Sequence, residues 1–131
     1  MLADTTLLID FLRGKDSAVR MVEEIEMSGT LFTTEINVFE LMIGIYAGSE
    51  NVEVHTQKMS GILSKLVVLS LDRLATIRAA KIAGDLIKTG QKIEGTDSLI
   101  AGIALSNGIN EIVTRNKSHF DRISGIKVIT Y

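Results

Sequence analysis

Apolar residues recur along the chain in two different periods, and these periods predict alternating strands and helices. Five short runs are apolar on both faces: Met1–Ala3, Thr30–Thr33, Leu66–Ser70, Glu111–Thr114 and Lys127–Thr130. Such runs are typical of strands buried inside a parallel sheet, because helices cover both of its faces. Long segments separate the runs, which excludes tight hairpins and favours helical crossovers between neighbouring strands.

The segments between the strands place apolar residues three and four positions apart, as one face of an α-helix requires. The predicted stripes are Leu7, Leu8, Phe11 and Leu12; Val19, Val22 and Ile25; Ile36, Phe39, Ile43 and Ala47; Ile62, Leu63 and Leu66; Leu74, Ile77, Ile82, Leu86 and Ile87; and Ile100, Ala101, Ile103 and Ala104. Strands joined by helices predict an α/β sandwich, a central parallel sheet of about five short strands covered by helices on both faces. The stretch Asn51–Leu66 either covers the sheet or offers an apolar groove or self-association surface.

The composition limits the kinds of catalytic and metal-binding site that the chain can form. The 131 residues predict a single domain over 1–131, with a net charge of −2. There is no Cys and there are only two His, which excludes thiol nucleophiles, Cys-ligated zinc and His-rich metal sites. A bound metal would therefore be held by oxygen, which favours Mg²⁺ or Mn²⁺. No targeting segment and no apolar run of about 20 residues is found, so we expect a cytoplasmic protein without membrane partners.

Three polar residues fall where the predicted topology would bring them together. Asp4 directly follows the first strand, Asn116 follows the strand Glu111–Thr114, and Asp97 opens a predicted helix on its sheet-facing side. The carboxyl ends of parallel strands form the edge where sites of such sheets lie. Each residue also has an ordinary alternative role as a helix N-cap, and Thr96 could cap the helix of Asp97 instead.

Glu40 is the fourth candidate, because it occupies a core-facing position in the stripe that contains Phe39 and Ile43. Burying a carboxylate is costly unless a cation or hydrogen-bond donors compensate its charge. A buried salt bridge or a position at the edge of the stripe would also account for it. Carboxylates that cluster repel one another, so the set predicts a cation, and Mg²⁺ held by carboxylates typically serves phosphate chemistry.

Four blocks of sequence carry a resemblance to a known family: L-A-D-T-T-L-L-I-D-F-L, T-E-I-N-V-F-E-L-M-I-G, G-T-D-S-L-I-A-G-I-A and I-V-T-R-N-K-S-H-F. In this order they resemble the blocks of a PIN domain, in particular those of VapC-type toxins of toxin–antitoxin pairs. The resemblance implies a Mg²⁺- or Mn²⁺-dependent endoribonuclease that dimerises and is silenced by a small antitoxin protein. It places the three metal-binding acids at Asp4, Glu40 and Asp97.

The same resemblance assigns supporting roles to other residues. The hydroxyl after the first acid corresponds to Thr5 or Thr6, and the Thr-x-Asn/Asp element corresponds to Thr114 and Asn116. Many members carry an Asp in or just after that last element, where this chain has Asn116 and then His119. We expect His119 to pack beside Phe120 and one cation to be bound by the three acids. Further acids could assist: Asp10, Glu94 and Asp121.

The sequence also allows two other functions and a possible RNA-binding role for a set of cations. A catalytically silent PIN-like module that binds RNA or protein is the main alternative, because Asn116 carries no charge. A phosphoacceptor receiver domain is less favoured, because the supposed middle strand Leu66–Ser70 ends without an acid and Asp72 is interpreted as a helix cap. RNA phosphates could be held by four cations, for most of which a solvated outer face is the alternative: Arg73, Lys88, Lys92 and Arg115.

Overall fold

The computed structural model describes residues 1–48 and 50–131. In this part of the chain five strands form one parallel sheet: β1 (Leu2–Ala3), β2 (Phe32–Thr34), β3 (Val67–Leu69), β4 (Glu111–Val113) and β5 (Lys127–Ile129). The strand order is β3-β2-β1-β4-β5. Leu2 pairs with Phe32 on one side and with Ile112 on the other. The predicted parallel sheet of five short strands is confirmed, with β1 in its centre.

Seven helices connect the strands over the same residues: α1 (Thr5–Leu12), α2 (Asp16–Ser28), α3 (Glu35–Gly48), α4 (Val52–Leu63), α5 (Arg73–Lys88), α6 (Gly95–Ser106) and α7 (Lys117–Phe120). Asp72 caps α5 by accepting a 2.8 Å hydrogen bond from the Ala75 N–H, as predicted. No helix in the described residues is both long and apolar enough to cross a membrane.

The strands contribute side chains to two separate hydrophobic cores, one on each face of the sheet. Ala3 and Val113 belong to the core formed with α1 and α2, whereas Leu2 and Ile112 belong to the core formed with α6. Successive residues of a strand point to opposite faces, so a strand that is covered on both sides must be apolar throughout. This accounts for the unbroken apolar runs in the sequence.

The predicted apolar stripe of α3 is wrong. Phe39 and Ile43 are exposed, and the buried face consists of Asn37, Leu41 and Ile45. Apolar residues surround α3 on all sides, so periodicity alone does not choose the face that packs against the protein. The same shift moves Glu40 from the expected core position to a half-buried one.

The predicted apolar stripe of α5 is only partly correct, for a different reason. Leu86 is buried as predicted, but Leu74, Ile77 and Ile87 are exposed, and α5 packs on α6 through Ala75 and Ala79. The opposing residue of α6 is Gly102, where an added Cβ would lie 2.7 Å from both the Ala75 oxygen and the Ala79 Cβ. The contact face of α5 consists of small residues because they let the two helices approach closely.

The position assigned to Leu66–Ser70 is also wrong, since β3 is an edge strand and β1 is the middle one. The middle strand does end at an acid, Asp4. Strand order is decided by long-range pairing, which the order of strands along the chain does not reveal. An acid at the end of the middle strand is a feature that a receiver domain would share, so strand order alone does not exclude that fold.

Candidate active site

Asp4 stands at the carboxyl end of the central strand, and its side chain is almost fully buried. Its Oδ2 accepts hydrogen bonds from Thr114 Oγ1 at 2.6 Å and from Thr6 Oγ1 at 3.1 Å. Its Oδ1 accepts one from Asn37 Nδ2 at 3.2 Å. Although Asp4 occupies the N-cap position of α1, its side chain makes no capping hydrogen bond. Its carboxylate is thus held by neutral donors from three different elements.

Asn37 is a site residue that the sequence analysis missed. It is fully buried, and its Oδ1 accepts from the backbone N–H and the Oγ1 of Thr34, at 3.2 and 2.7 Å. The Asn37 N–H in turn donates to Thr34 Oγ1 at 3.2 Å, which is the pattern of a capping box at the start of α3. The Nδ2 group is left to donate to Asp4 and to Thr5 Oγ1, the latter at 2.9 Å. The Thr-x-x-Asn spacing was the available signal.

Glu40 lies one turn further along α3 and is joined to the same network. Its Oε2 accepts a short hydrogen bond from Thr5 Oγ1, the hydroxyl that also accepts from Asn37. Thr5 therefore connects Glu40 with the residues around Asp4. Both acids belong to one hydrogen-bonded cluster, although Glu40 is only half-buried.

Asp97 approaches the cluster from α6. The helix begins at Gly95 with Glu94 in the N-cap position and no side-chain capping bond, so the alternative role of Asp97 or Thr96 as the cap is excluded. Asp97 lies in the first helical turn and is buried. Burial raises the pKa of its carboxyl, the hydrogen bond and charge of His119 act in the opposite direction, and the negative charges of Asp4 and Glu40 raise it further. The three acids therefore share one electrostatic neighbourhood.

His119, expected to pack beside Phe120, instead contacts the acid cluster. Its Nδ1 lies 2.6 Å from Asp97 Oδ2 and 2.9 Å from the carboxamide nitrogen of Asn116. A carboxylate only accepts, so Nδ1 carries the proton and donates it to Asp97, while the Asn116 carboxamide contacts the same ring nitrogen. Asn116 occupies the N-cap position of α7 without a side-chain cap, and its N–H donates to Thr114 Oγ1 at 2.9 Å. Asn116 thus joins Asp97 to Asp4 through His119 and Thr114.

The carboxylate oxygens of Asp4, Glu40 and Asp97 are suitable ligands for a hard divalent cation. No Lys or Arg pairs with Asp4, Glu40 or Asp97 in the described chain, and their neighbours are hydroxyls, an amide and one imidazole. Their charges are therefore left for an outside cation to compensate. In the described residues no three His, Asp or Glu side chains already converge as a metal cluster.

The remaining predicted residues are three hydroxyl residues, three auxiliary acids and four cations. The structure brings the three hydroxyl residues into the cluster: Thr5, Thr6 and Thr114. The predicted auxiliary acids stay outside it, because Asp10 pairs with Lys15 and Arg115, Asp121 pairs with Lys117 at 3.7 Å, and Glu94 is exposed. Of the candidate RNA-binding cations, Arg115 is tied to Asp10, while the other three are exposed: Arg73, Lys88 and Lys92.

The model of the family described as PIN domain matches residues 1–126 of the chain. The chain belongs to the PIN domain family. Two relatives carry the name tRNA(fMet)-specific endonuclease VapC. The protein from Shigella flexneri is 29% identical over 125 residues and that from Salmonella typhimurium 30% over 128, each match covering 95% of this chain and 92% of the relative.

Solved structures agree with this assignment of the PIN domain. A DNA-bound VapBC from Salmonella typhimurium contains a chain 29% identical, with a TM-score of 0.86 and coverage of 98% of this chain and 96% of that one. VapBC2 from Rickettsia felis, bound to promoter DNA, shares the fold at a TM-score of 0.89 and 23% identity, over 99% and 97% of the two chains. The predicted PIN fold and VapC-type nuclease class are confirmed, and a receiver domain is excluded.

Proposed function

We propose that this PIN domain is the toxin of a VapBC-type pair and acts as a divalent-metal-dependent endoribonuclease. The observation that carries the proposal is the set of three acids, Asp4, Glu40 and Asp97, joined in one network without a Lys or Arg partner in the described residues. The names of the relatives, which are tRNA-specific endonucleases, support RNA as the substrate class. The chain holds no Cys, so a thiol nucleophile is excluded.

Mg²⁺ or Mn²⁺ would be held by Asp4, Glu40 and Asp97, and it would supply an activated water and neutralise charge on the phosphate. The rest of the network keeps each acid in place before substrate arrives. Thr114, Thr6 and Asn37 hold Asp4, and Thr5 holds Glu40. His119 fixes one oxygen of Asp97, while Asn116 fixes the imidazole. Such preorganisation matters because small displacements of catalytic groups reduce rates steeply.

Substrate phosphates would be held by the exposed cations of α5 and the segment after it. Arg73, Lys88 and Lys92 form no salt bridge in the described part of the chain, so they are available to phosphate oxygens. The overall charge is negative, so RNA binding has to rely on such local groups. Replacing them should weaken RNA binding and reduce its salt dependence without changing the acids.

The antitoxin would cover a groove that borders the acid cluster. The groove has a volume of about 490 Å³ and an apolar floor that includes Leu12, Leu41 and Ile45, with Glu40 in its lining. The stretch Asn51–Leu66 contributes polar rather than apolar residues to this groove, among them His55 and Lys58. A bound antitoxin segment in this groove would lie directly beside Glu40, which would explain silencing by blocking access to the acids.

A second copy of the chain would cover the exposed stripe of α3. Phe39, Ile43 and Tyr46 are spaced four and three residues apart on one helix face, and each exposes half or more of its surface. Exposed apolar side chains in a row on one face are typical of interaction surfaces. Ile43→Lys should convert a dimer into a monomer in sedimentation experiments, whereas Ile87→Lys, on α5, serves as the control.

Cleavage of RNA by the purified chain in the presence of Mg²⁺ or Mn²⁺ tests the enzymatic proposal. We expect Asp97→Asn to abolish cleavage and Asp85→Asn, an exposed acid paired with Lys81, to leave it unchanged. A chelator should abolish the wild-type activity reversibly. Equal cleavage by wild type and Asp97→Asn would contradict the proposal, and RNA binding without cleavage would favour the silent module.

A further inference from the structure

Asp10 is a buried acid that the proposed reaction does not use. Its side chain is about 1% exposed, although it lies only six residues after Asp4. Lys15 Nζ lies 2.8 Å from Oδ1, Arg115 Nε lies 2.9 Å from Oδ2, and the Tyr131 hydroxyl donates to Oδ2 at 3.1 Å. The carboxylate therefore joins α1 to two residues that are far away in the sequence, Arg115 and Tyr131.

Arg115 is the partner that leads from Asp10 to the acid cluster. It lies between Thr114 and Asn116, two residues after the end of β4, and its side chain is half exposed. Its backbone N–H donates to Thr6 Oγ1 at 3.1 Å, and Thr6 donates to Asp4 Oδ2. Arg115 is thus held by its side chain at Asp10 and by its main chain beside Asp4.

The residues on either side of Arg115 are linked to two of the three acids, Thr114 directly and Asn116 through His119. Thr114 donates to Asp4, whereas Asn116 contacts His119, which contacts Asp97. The segment 114–119 therefore spans the distance between Asp4, at the end of the central strand, and Asp97, at the start of α6. A shift of this segment would move both contacts at once.

We infer that Asp10, through its ion pair with Arg115, is a positioning residue that fixes the segment 114–119 and with it the relative placement of Asp4 and Asp97. The inference rests on the proposed nuclease function. Burial disfavours the charged form of Asp10, but hydrogen bonds from Lys15 and Tyr131 and the charges of Arg115 and Lys15 together hold its pKa below the ordinary value. The carboxylate is therefore ionised at neutral pH and keeps the charge that pairs with Arg115.

The competing interpretation is that Arg115 binds substrate phosphate directly and that Asp10 merely stabilises the fold. The two interpretations predict different kinetics. Removing a phosphate ligand raises KM, whereas misplacing catalytic groups lowers kcat with little change in KM. Asp10→Asn separates them further, since it frees the Arg115 guanidinium and leaves its charge in place.

The kinetic test compares Asp10→Asn, Arg115→Gln and the double variant on one RNA substrate. Each single variant should lower kcat by about 10- to 100-fold and change KM by no more than about 2-fold. The double variant should be no slower than the slower single variant, because both remove the same pair. Lys15→Gln is the matched control: it removes the other ion pair of Asp10 and should change kcat by less than about 3-fold.

Hydrogen exchange of the metal-free protein, measured without RNA, supplies a readout besides activity. Amides of the segment 114–119 should exchange faster in Asp10→Asn and Arg115→Gln, and at the wild-type rate in Lys15→Gln. If Asp10→Asn does not fold, the comparison of Arg115→Gln with Lys15→Gln carries both tests. An inactive wild type with the expected exchange pattern would refute the nuclease proposal and leave the tie between Asp10 and the segment standing.

Three results would overturn the inference. One is unchanged exchange of the segment in both Asp10→Asn and Arg115→Gln. The second is faster exchange with an unchanged kcat, which would make the ion pair purely structural. The third is an Arg115→Gln variant with raised KM and normal kcat beside an Asp10→Asn variant with normal values of both, which would assign Arg115 to substrate binding.

Discussion

The imidazole of His119 meets the carboxylate of Asp97 with Nδ1 2.6 Å from Oδ2, across 22 residues of sequence. The contact joins the short helix after β4 to the first turn of α6. It supplies Asp97 with a hydrogen-bond donor in a buried setting where Asp4 and Glu40 add like charge. His119 therefore belongs to the acid cluster, and its imidazole opposes the effect of burial on Asp97.

The stability of the metal-free protein should depend on the ionisation of Asp97. Its folded-state pKa is raised above the ordinary 3.8, mainly by burial. The protonated form of Asp97 therefore stabilises the fold. This stabilisation is complete below the unfolded-state pKa and is lost as pH rises from about 4 through the folded-state pKa. Urea unfolding in a chelator should show this loss, and Asp97→Asn should remove it. An equal pH slope in wild type and variant as pH rises above about 4 would contradict the assignment.

Divalent metal should stabilise the folded protein. A cation that binds only the folded state adds about 2.7 kcal/mol at a hundredfold excess over its dissociation constant. Mg²⁺ or Mn²⁺ should raise the Tm of the wild type, and Asp4→Asn or Asp97→Asn should largely abolish the rise. Asn116→Ala should weaken it less, because the amide contributes orientation and not charge. Monovalent salt at equal ionic strength controls for screening of the acids.

Asn37→Ala should damage both stability and activity. The substitution removes the donor to Asp4 Oδ1 and Thr5 Oγ1 and the acceptor for Thr34, all inside the protein. Leaving buried polar groups unpaired costs about 1–3 kcal/mol each, so the loss should exceed that of an exposed amide. Asn107→Ala, which removes a single bond to the Ile103 oxygen at the end of α6, is the control. Equal free energies of unfolding for the two variants would refute the network.

Gly102 and Gly84 should respond in opposite directions to the same substitution. A Cβ at Gly102 would meet Ala75 and Ala79 at 2.7 Å, so Gly102→Ala should destabilise by about 1–3 kcal/mol. Gly84 lies within α5 with nothing within 4 Å of the added carbon, so Gly84→Ala should stabilise by about 0.5–1 kcal/mol. Denaturant midpoints measure both changes, and a stabilising Gly102→Ala would disprove the close helix crossing.

Asp10 should contribute stability at neutral pH and lose it in acid. Its folded-state pKa is lowered, so the contribution is present above the unfolded value of 3.8 and disappears as pH falls through the folded one. Hydrogen bonds to a charged group contribute about 1.5–3 kcal/mol, and the half-exposed partners Lys15 and Arg115 can turn to water, so Asp10→Asn should be destabilising by about that amount near pH 7. The difference between variant and wild type should shrink below about pH 4. A difference that stays constant from pH 7 to pH 3 would contradict this.

The sequence by itself determined the class of fold and the position of most acids. Strands buried on both faces must be apolar throughout, so the five runs were visible without structure, and helices between them required parallel pairing. Asp4 follows a strand and Asp97 lies near the start of a helix, which places them at the same edge of such a sheet. Local hydrogen bonding also follows from sequence, as the capping of α5 by Asp72 shows.

Only the tertiary structure decided which helix faces are covered and which polar residues meet. Periodicity defines residues that share a face, but α3 is apolar all around and α5 packs through Ala75 and Ala79, so the buried faces were chosen by their neighbours. The contacts of Asp4 with Asn37 and of His119 with Asp97 join residues 33 and 22 positions apart. Such pairs depend on strand order and helix placement, which are long-range properties that no local pattern encodes.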